Sequence, residues 1–330
     1  MAMRAIPDRM AGPATTEEGW KSMIIDWHTH VHPPQEANSR FWQGRCPATI
    51  DNVLRLHGEV GLDISVITSA GHYLRRLELD DAHAALCDSN RYLASLRDKF
   101  PDRIVALATT IPGGGDKFLK ELERAVTQDG LRGVLISSSH RGAYPDYDEA
   151  LPFFDLVTRL GIPVMVHPPA IGFGEERMNV YRLASSVGRP FDNCLALSRL
   201  IVRGIFERFP TLKLVGTHLG GGICEIIGRM DYAYEMGDEA FFLGDYEPMR
   251  IRRKPSDYLK MMYMDTVSYH APAIECAAKT IGADRLLFGT DAPMLLSLKR
   301  KGLDVIDEAA LSSAQKAAVL GGTAKALLKL

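Results

Sequence analysis

Two hydrophobic rhythms alternate along the chain. Short apolar, β-branched runs occur at 23–26 (MIID), 63–70 (DISVITSA), 103–110 (RIVALATT), 131–138 (LRGVLISS), 162–167 (IPVMVH), 212–218 (LKLVGTH), 259–266 (LKMMYMDT) and 285–291 (RLLFGTD). Their length and residue types read as strands. Between them lie segments with apolar positions at helical spacing, such as TIDNVLRLHGEVG, FLKELERAVTQDG, EALPFFDLVTRLG and PAIECAAKTIGAD, several of them closed by glycine. Glycine tolerates the left-handed position that ends a helix. Near-continuous apolar strands alternating with amphipathic helices predict a parallel sheet covered by helices. Eight such units in 330 residues fit an α/β fold of the (β/α)8 TIM-barrel type better than an open sheet.

No linker or change of composition divides the chain, so one barrel domain is expected over 22–330, preceded by an N-terminal extension at 1–21. The stretches 31–48, 170–190 and 236–256 are longer than ordinary loops. The first two follow the first and fifth strands and are expected to cover substrate.

Charge removes some classes of partner. The chain holds 39 basic and 41 acidic residues, a formal net charge of -2, which gives no electrostatic case for nucleic acid or an anionic membrane. The five cysteines are widely spaced and lack a C-x-x-C pair, which suggests neither a disulfide framework nor a thiolate metal site. No apolar run has the length of a membrane span or of a signal-peptide centre. A cytoplasmic protein acting on small molecules is the expectation.

The candidate chemistry sits at the ends of the runs. His28 and His30 follow the first, His167 ends the fifth, His218 the sixth and Asp291 the eighth. A barrel gathers C-terminal strand ends on one rim, and the period of two sends His28 and His30 to the same side. Imidazoles with a carboxylate suit Zn²⁺, Mn²⁺ or Fe²⁺ and leave room for water or substrate. Alone, the H-x-H pair is weak evidence and more often a polar loop; its company makes a metal site the stronger reading.

These residues, with IDWHTHVHPP, VMVHPP, FDNCLALSRLIVRGIFERFPTLKLVGTHLGGG, MDTVSYHAPAIECAAKTIGADRLLFGTDAPM and the closing VLGGTAKALLKL, resemble the amidohydrolase superfamily. Within it they are similar to the mononuclear branch that includes aminocarboxymuconate semialdehyde decarboxylase. The resemblance implies that His28, His30, His167 and Asp291 bind one divalent metal, zinc first and manganese as the alternative. It also implies that His218 is catalytic beside the metal site, with Asp291 sharing the proton handling. Arg229, eleven residues after His218, would grip a substrate carboxylate, in relatives sometimes that of a neighbouring subunit, so a homodimer is expected. Dinuclear members carry a bridging lysine on the fourth strand; LRGVLISSSH has none. The sequence departs from the branch at Cys224, where proline is usual, at APM after Asp291, and at Thr323 in place of asparagine.

Other positions stay open. His270 either orients substrate or caps a helix near Pro272. Trp27, with Phe41 and Trp42, either lines a pocket or packs. His32 is expected to order the first loop, and Asp26 to hold a ligand or cap the strand. Asp265 is a candidate hydrogen bonder on the rim, and His140 a weaker candidate after the fourth strand. His57, His72 and His83 read as surface or boundary residues. The glycines of LGGG at 219–222 lack a phosphate-loop pattern and are expected to admit backbone close to the metal. Arg45, Arg177 and Arg189 each suit a carboxylate, with no spacing to choose among them.

Metal-dependent decarboxylation of a carboxylated aromatic or muconate-like molecule is the leading expectation. A metal-dependent hydrolase or hydratase is the alternative. A non-catalytic metal-binding or small-molecule-sensing barrel is the third reading.

Overall fold

The computed structural model describes residues 23–330 except 40, 41, 43, 44, 71–73, 75, 76, 171, 179, 237–246 and 295–299. The expected extension at 1–21, Phe41 and His72 lie outside the described residues.

All eight runs contribute parallel strands. They are β1 (Ile25–His30), β2 (Ile64–Thr68), β3 (Ile104–Ala106), β4 (Ala108–Thr109), β5 (Val134–Ser137), β6 (Pro163–His167), β7 (Lys213–Gly216), β8 (Tyr263–Asp265) and β9 (Leu286–Leu287). The third run supplies both β3 and β4. They belong to separate sheets, β1-β2-β3 and β4 through β9 in order. Hydrogen bonds cross both gaps between the sheets. At Leu107 the chain changes partner: Leu107 N donates to Ile67 O at 3.1 Å, and Ala108 N to Gly133 O at 2.9 Å. At the other seam Trp27 N donates to Phe288 O at 2.8 Å and His30 N to Ala292 O at 2.7 Å. The architecture is the expected TIM barrel, with β3 and β4 acting as two parts of one strand.

Strand alternation divides the core. Outward side chains such as Ile67, Ile104, Val134, Val164 and Leu214 pack under the helices in one large cluster. Inward ones, among them Val66, Val105, Leu135, Met165, Val215 and Leu287, form a second cluster with Leu327 and Leu328 of the C-terminal helix Thr323–Leu328.

A bulge in β1 reconciles two demands on one strand. The register with β2 shifts between Asp26 and Thr29, so the alternation resets there. Ile25 and Trp27 pack with the inward cluster, yet His28 and His30 both meet the ring of His167. Without the bulge, one pair would face the helices. Trp27 is therefore corrected from a pocket residue to a core residue: it is fully buried and lines no part of the cavity described below.

The seventh run departs from its strand reading. Pro255 opens a short helix, Pro255–Leu259, and β8 begins only at Tyr263. Tyr258, Leu259 and Met262 are apolar because they are packed, all fully buried; a short apolar run has the same pattern in a buried helix as in a buried strand.

His57, expected near the surface, is buried on the π-helical turn His57–Gly61, with Nε2 2.9 Å from Ser65 Oγ. Burial, with Arg103 adding to it, pulls its pKa down to about 4. The unfolded chain binds this proton near the ordinary value of 6.5 and the folded chain does not, so stability falls as pH drops from about 6.5 towards 4. The expected loss is on the order of 2 kcal/mol. Urea midpoints at pH 7 and pH 5 measure it: His57→Gln, which keeps a partner for Ser65, should lose less stability than the native chain over that interval. Equal losses would assign the acid sensitivity to other groups.

Candidate metal centre

The rim brings the predicted ligands together. One candidate ligand atom from each of His28, His167, His218 and Asp291 lies within 4.8 Å of the others. His30 belongs to the same knot, since its Nε2 is 3.1 Å from both His28 Nε2 and Asp291 Oδ1. His28 Nε2 is 3.5 Å from Asp291 Oδ1.

Hydrogen bonds behind the rings fix which nitrogens face inward. His28 Nδ1 donates to Asp265 Oδ2 at 2.6 Å. Thr68 Oγ1 donates to Thr29 O, and so accepts from His30 Nδ1 at 3.1 Å. Both Nε2 atoms then present lone pairs to each other and to the Asp291 carboxylate. Three Lewis bases converging at 3.1–3.5 Å repel unless a cation lies among them. Donors on one tetrahedral ion at its usual bond lengths sit roughly 3.3 Å apart. The residues therefore fit a divalent metal.

Electrostatics favour two of those three donors, His30 and Asp291. Burial holds the His30 pKa down near 4, keeping the ring neutral. Burial works against the Asp291 carboxylate, but the neighbouring imidazoles of His218, His30 and His28 hold its pKa well below the usual range. For His28, burial disfavours the cation, while Asp265, Asp291 and Asp26 together raise its pKa.

Two aspartates brace the ligands. Asp265 Oδ1 accepts from the backbone of Leu219 and Val267 at 3.2 and 3.0 Å, while Oδ2 orients His28. Asp26 accepts from His28 N and from both N–H and Oγ1 of Thr290, which ties β1 to the segment carrying Asp291. Burial pushes Asp26 up to about 6. The sequence offered each only as a candidate; partners 237 and 264 positions away carry no local signal. His32 orders the first loop as expected, stacked against His30 with Nδ1 3.3 Å from Glu36.

His218 is held differently. Its Nδ1 faces Asn193 Nδ2 at 3.3 Å and Thr217 Oγ1 at 3.1 Å, which leaves Nε2 towards Asp291, 3.8 Å away. His218, Leu219, Tyr269 and Asp291 all have φ between 52° and 54°. Non-glycine residues in that region are strained, at about 1–3 kcal/mol each, and cluster at functional sites. The glycines that follow serve another contact than the one expected. A Cβ on Gly221 would lie 1.8 Å from Pro190 O, so this backbone crosses close to helix Arg189–Val202 rather than to the metal site.

A cavity of about 710 Å³ opens beside the cluster. His218, Asp291, Arg189 and Tyr269 line it together with His270, Ser185, Ser186, Glu225, Leu219 and Met294. His270 occupies the N-cap position of helix Ala271–Ile281 without a side-chain cap bond, and it lines the cavity. Tyr269 donates to Thr290 O at 2.8 Å. Burial and the surrounding carboxylates push its pKa up, so it stays a phenol. Arg229 does not line this cavity; it is exposed on helix Ile223–Glu235. Of the three open arginines, Arg189 reaches the cavity, whereas Arg45 and Arg177 are exposed elsewhere. His140 lines a separate small cavity, and His83 is half-buried with Nε2 3.1 Å from Lys117 O.

An α/β barrel with imidazoles and a carboxylate converging on its C-terminal rim, beside a cavity, defines a metal-binding barrel of the kind that carries enzymes. The chain belongs to the amidohydrolase family, whose model matches residues 25–330. Among curated relatives, it is 27% identical over 241 residues to 2-amino-3-carboxymuconate-6-semialdehyde decarboxylase of Dictyostelium discoideum, covering 73% of this chain and 65% of the relative's length. It is 25% identical over 292 residues to gamma-resorcylate decarboxylase of a Polaromonas species, covering 85% and 87%. A solved structure of dihydroxybenzoic acid decarboxylase from Polaromonas, with bound manganese and the inhibitor 2-nitroresorcinol, superposes with a TM-score of 0.79 at 22% identity, covering 94% of this chain and 97% of that one. No helix among the described residues is long and apolar enough to cross a membrane.

Proposed function

We propose that the protein is a metal-dependent, non-oxidative decarboxylase of a small carboxylated aromatic or muconate-like molecule. The observation that carries this reading is the cavity that places an arginine, His218 and Asp291 around one space, in a chain similar to named decarboxylases. His28, His30, His167 and Asp291 would hold one divalent metal, zinc, or manganese as in the Polaromonas enzyme. When bound, the metal supplies Lewis-acid stabilisation of negative charge on substrate oxygen.

The chain's own residues do the rest. The bond from the conjugated carbon to the carboxylate carbon breaks, its electron pair stays on the conjugated system, and a proton takes the place of carbon dioxide. His218 Nε2 is positioned to deliver that proton from the cavity side, backed by Asn193 and Thr217. Asp291, kept ionised by its histidine neighbours, shares the proton handling. Leu219, Val267 and Met294 give the cavity apolar wall that suits a ring and limits water.

A homodimer belongs to the same reading. Ile226 and Tyr232, three positions either side of Arg229, are exposed apolar residues on one helix, and an interface there would let Arg229 approach a partner's substrate. The five free cysteines suit a reducing cytoplasm.

Two measurements test the proposal. Elemental analysis of the purified chain should give one transition metal per chain. Carbon dioxide should be released from a panel of hydroxybenzoates and muconate-like acids without oxidant or organic cofactor, and removal of the metal should abolish the release. Turnover of amides, lactones or hydration substrates with no carbon dioxide from any acid would replace this reading with the hydrolytic or hydrating one.

A further inference from the structure

Among the described residues, Arg189 is the arginine that lines the cavity beside the predicted metal ligands. It begins helix Arg189–Val202 at the end of the expected cover segment 170–190. Its side chain lines the cavity that also holds His218 and Asp291. Among the described residues its one hydrogen bond runs from Nε to Ala170 O at 3.3 Å, and it has no carboxylate within ion-pair distance. The contrast with its neighbours in sequence is plain. Arg199 on the same helix is paired in two-point fashion with Asp146, and Arg203 just beyond it with Asp148.

A guanidinium drawn into a cavity, with Asp291 acting on it only at a distance and no carboxylate paired to it among the described residues, is costly, because its lost hydration is not replaced by a partner. Such an arrangement persists where an anion is the partner. The Nε contact with Ala170 O fixes one edge of the planar fork, and the terminal nitrogens remain for the ligand. Two parallel N–H···O bonds match a carboxylate in geometry as well as in charge. Ser185 and Ser186 carry no charge to compete for that role, and Glu225 repels an acid from its own side.

We propose that Arg189 is the substrate-carboxylate anchor of this chain's own cavity and sets its preference for acids over neutral rings. The inference rests on the carboxylated-substrate reading above and adds a residue to it. Because a grip on the bound acid is released as carbon dioxide departs, its removal should appear in KM more than in kcat.

The test measures binding to the metal-loaded protein by calorimetry with two acid and neutral pairs, 2,6-dihydroxybenzoate with resorcinol and salicylate with phenol. The native chain should prefer the acids. Arg189→Gln should weaken the acids by about 100-fold, as expected for a lost charge-assisted pair, and leave the neutral partners within about threefold. Arg189→Lys should fall between and serves if the glutamine variant fails to load metal. Equal weakening of acids and neutral rings would show a merely structural role and overturn the proposal, as would unchanged acid affinity or a native chain without acid preference. Loss of acid affinity in Arg189→Gln, with no carbon dioxide released by the native chain from any acid, would overturn the proposed reaction and leave the anchor standing.

Discussion

His218→Ala should keep its metal and lose turnover by about 10²–10⁴-fold, the range for a removed general acid or base, whereas His167→Ala should lose both. The two histidines sit at the ends of adjacent strands and their rings are 5.4 Å apart, so proximity does not separate them. Their surroundings do. His167 ends β6, is buried, and packs edge-on against the rings of His28 and His30. His218 lies beyond the end of β7 on strained backbone, lines the cavity, and is steadied from behind by Asn193 and Thr217. That is the placement of a group that meets substrate. Metal content and kcat measured on the same preparations decide it. If His218→Ala empties the site, His218 is a ligand, and the proton must come from elsewhere.

The strand runs were legible because an inward and an outward apolar face leave few polar positions in a buried parallel strand, and the rim positions followed from counting to each run's end. What escaped was parity within β1. Period-two reasoning alone places Trp27 and His28 on opposite faces, and only the bulge after Asp26 lets Trp27 belong to the core while His28 and His30 meet the other ligands. A bulge is an insertion relative to a neighbouring strand, so one strand read alone cannot reveal it. The cation in the cavity was undecidable for a related reason. Arg189 and Arg177 lie in one long connection, and their directions depend on where helix Arg189–Val202 begins. The start is preceded by a π-helical turn, Ala184–Gly188, which no local propensity marks. The glycines of 219–222 do admit a close approach, but the approaching backbone is that of Pro190, 31 residues before Gly221, and not the metal site, a pairing only the fold supplies.

Asp265→Asn should weaken metal binding by about 100-fold, the upper end of the range for groups that orient a metal-binding histidine, and should do so more severely than Asp265→Ala. The reason lies in which oxygen is replaced. Oδ1 accepts from two backbone N–H groups, Leu219 and Val267, so an asparagine must set its carbonyl oxygen there. Its amide NH2 then takes the place of Oδ2 and points at His28 Nδ1, 2.6 Å from Oδ2 in the native chain. Two donors cannot share that contact, and His28 relieves it by moving its proton to Nε2. The lone pair that faced His30 and Asp291 is then gone. Alanine removes the orienting carboxylate but imposes no tautomer, so its His28 can still present Nε2 unprotonated. Competition with a chelator of known affinity measures all three chains, and turnover should follow metal occupancy and return with excess metal. Asparagine binding metal as well as alanine does would show that the charge of Asp265, rather than its choice of His28 tautomer, governs the site.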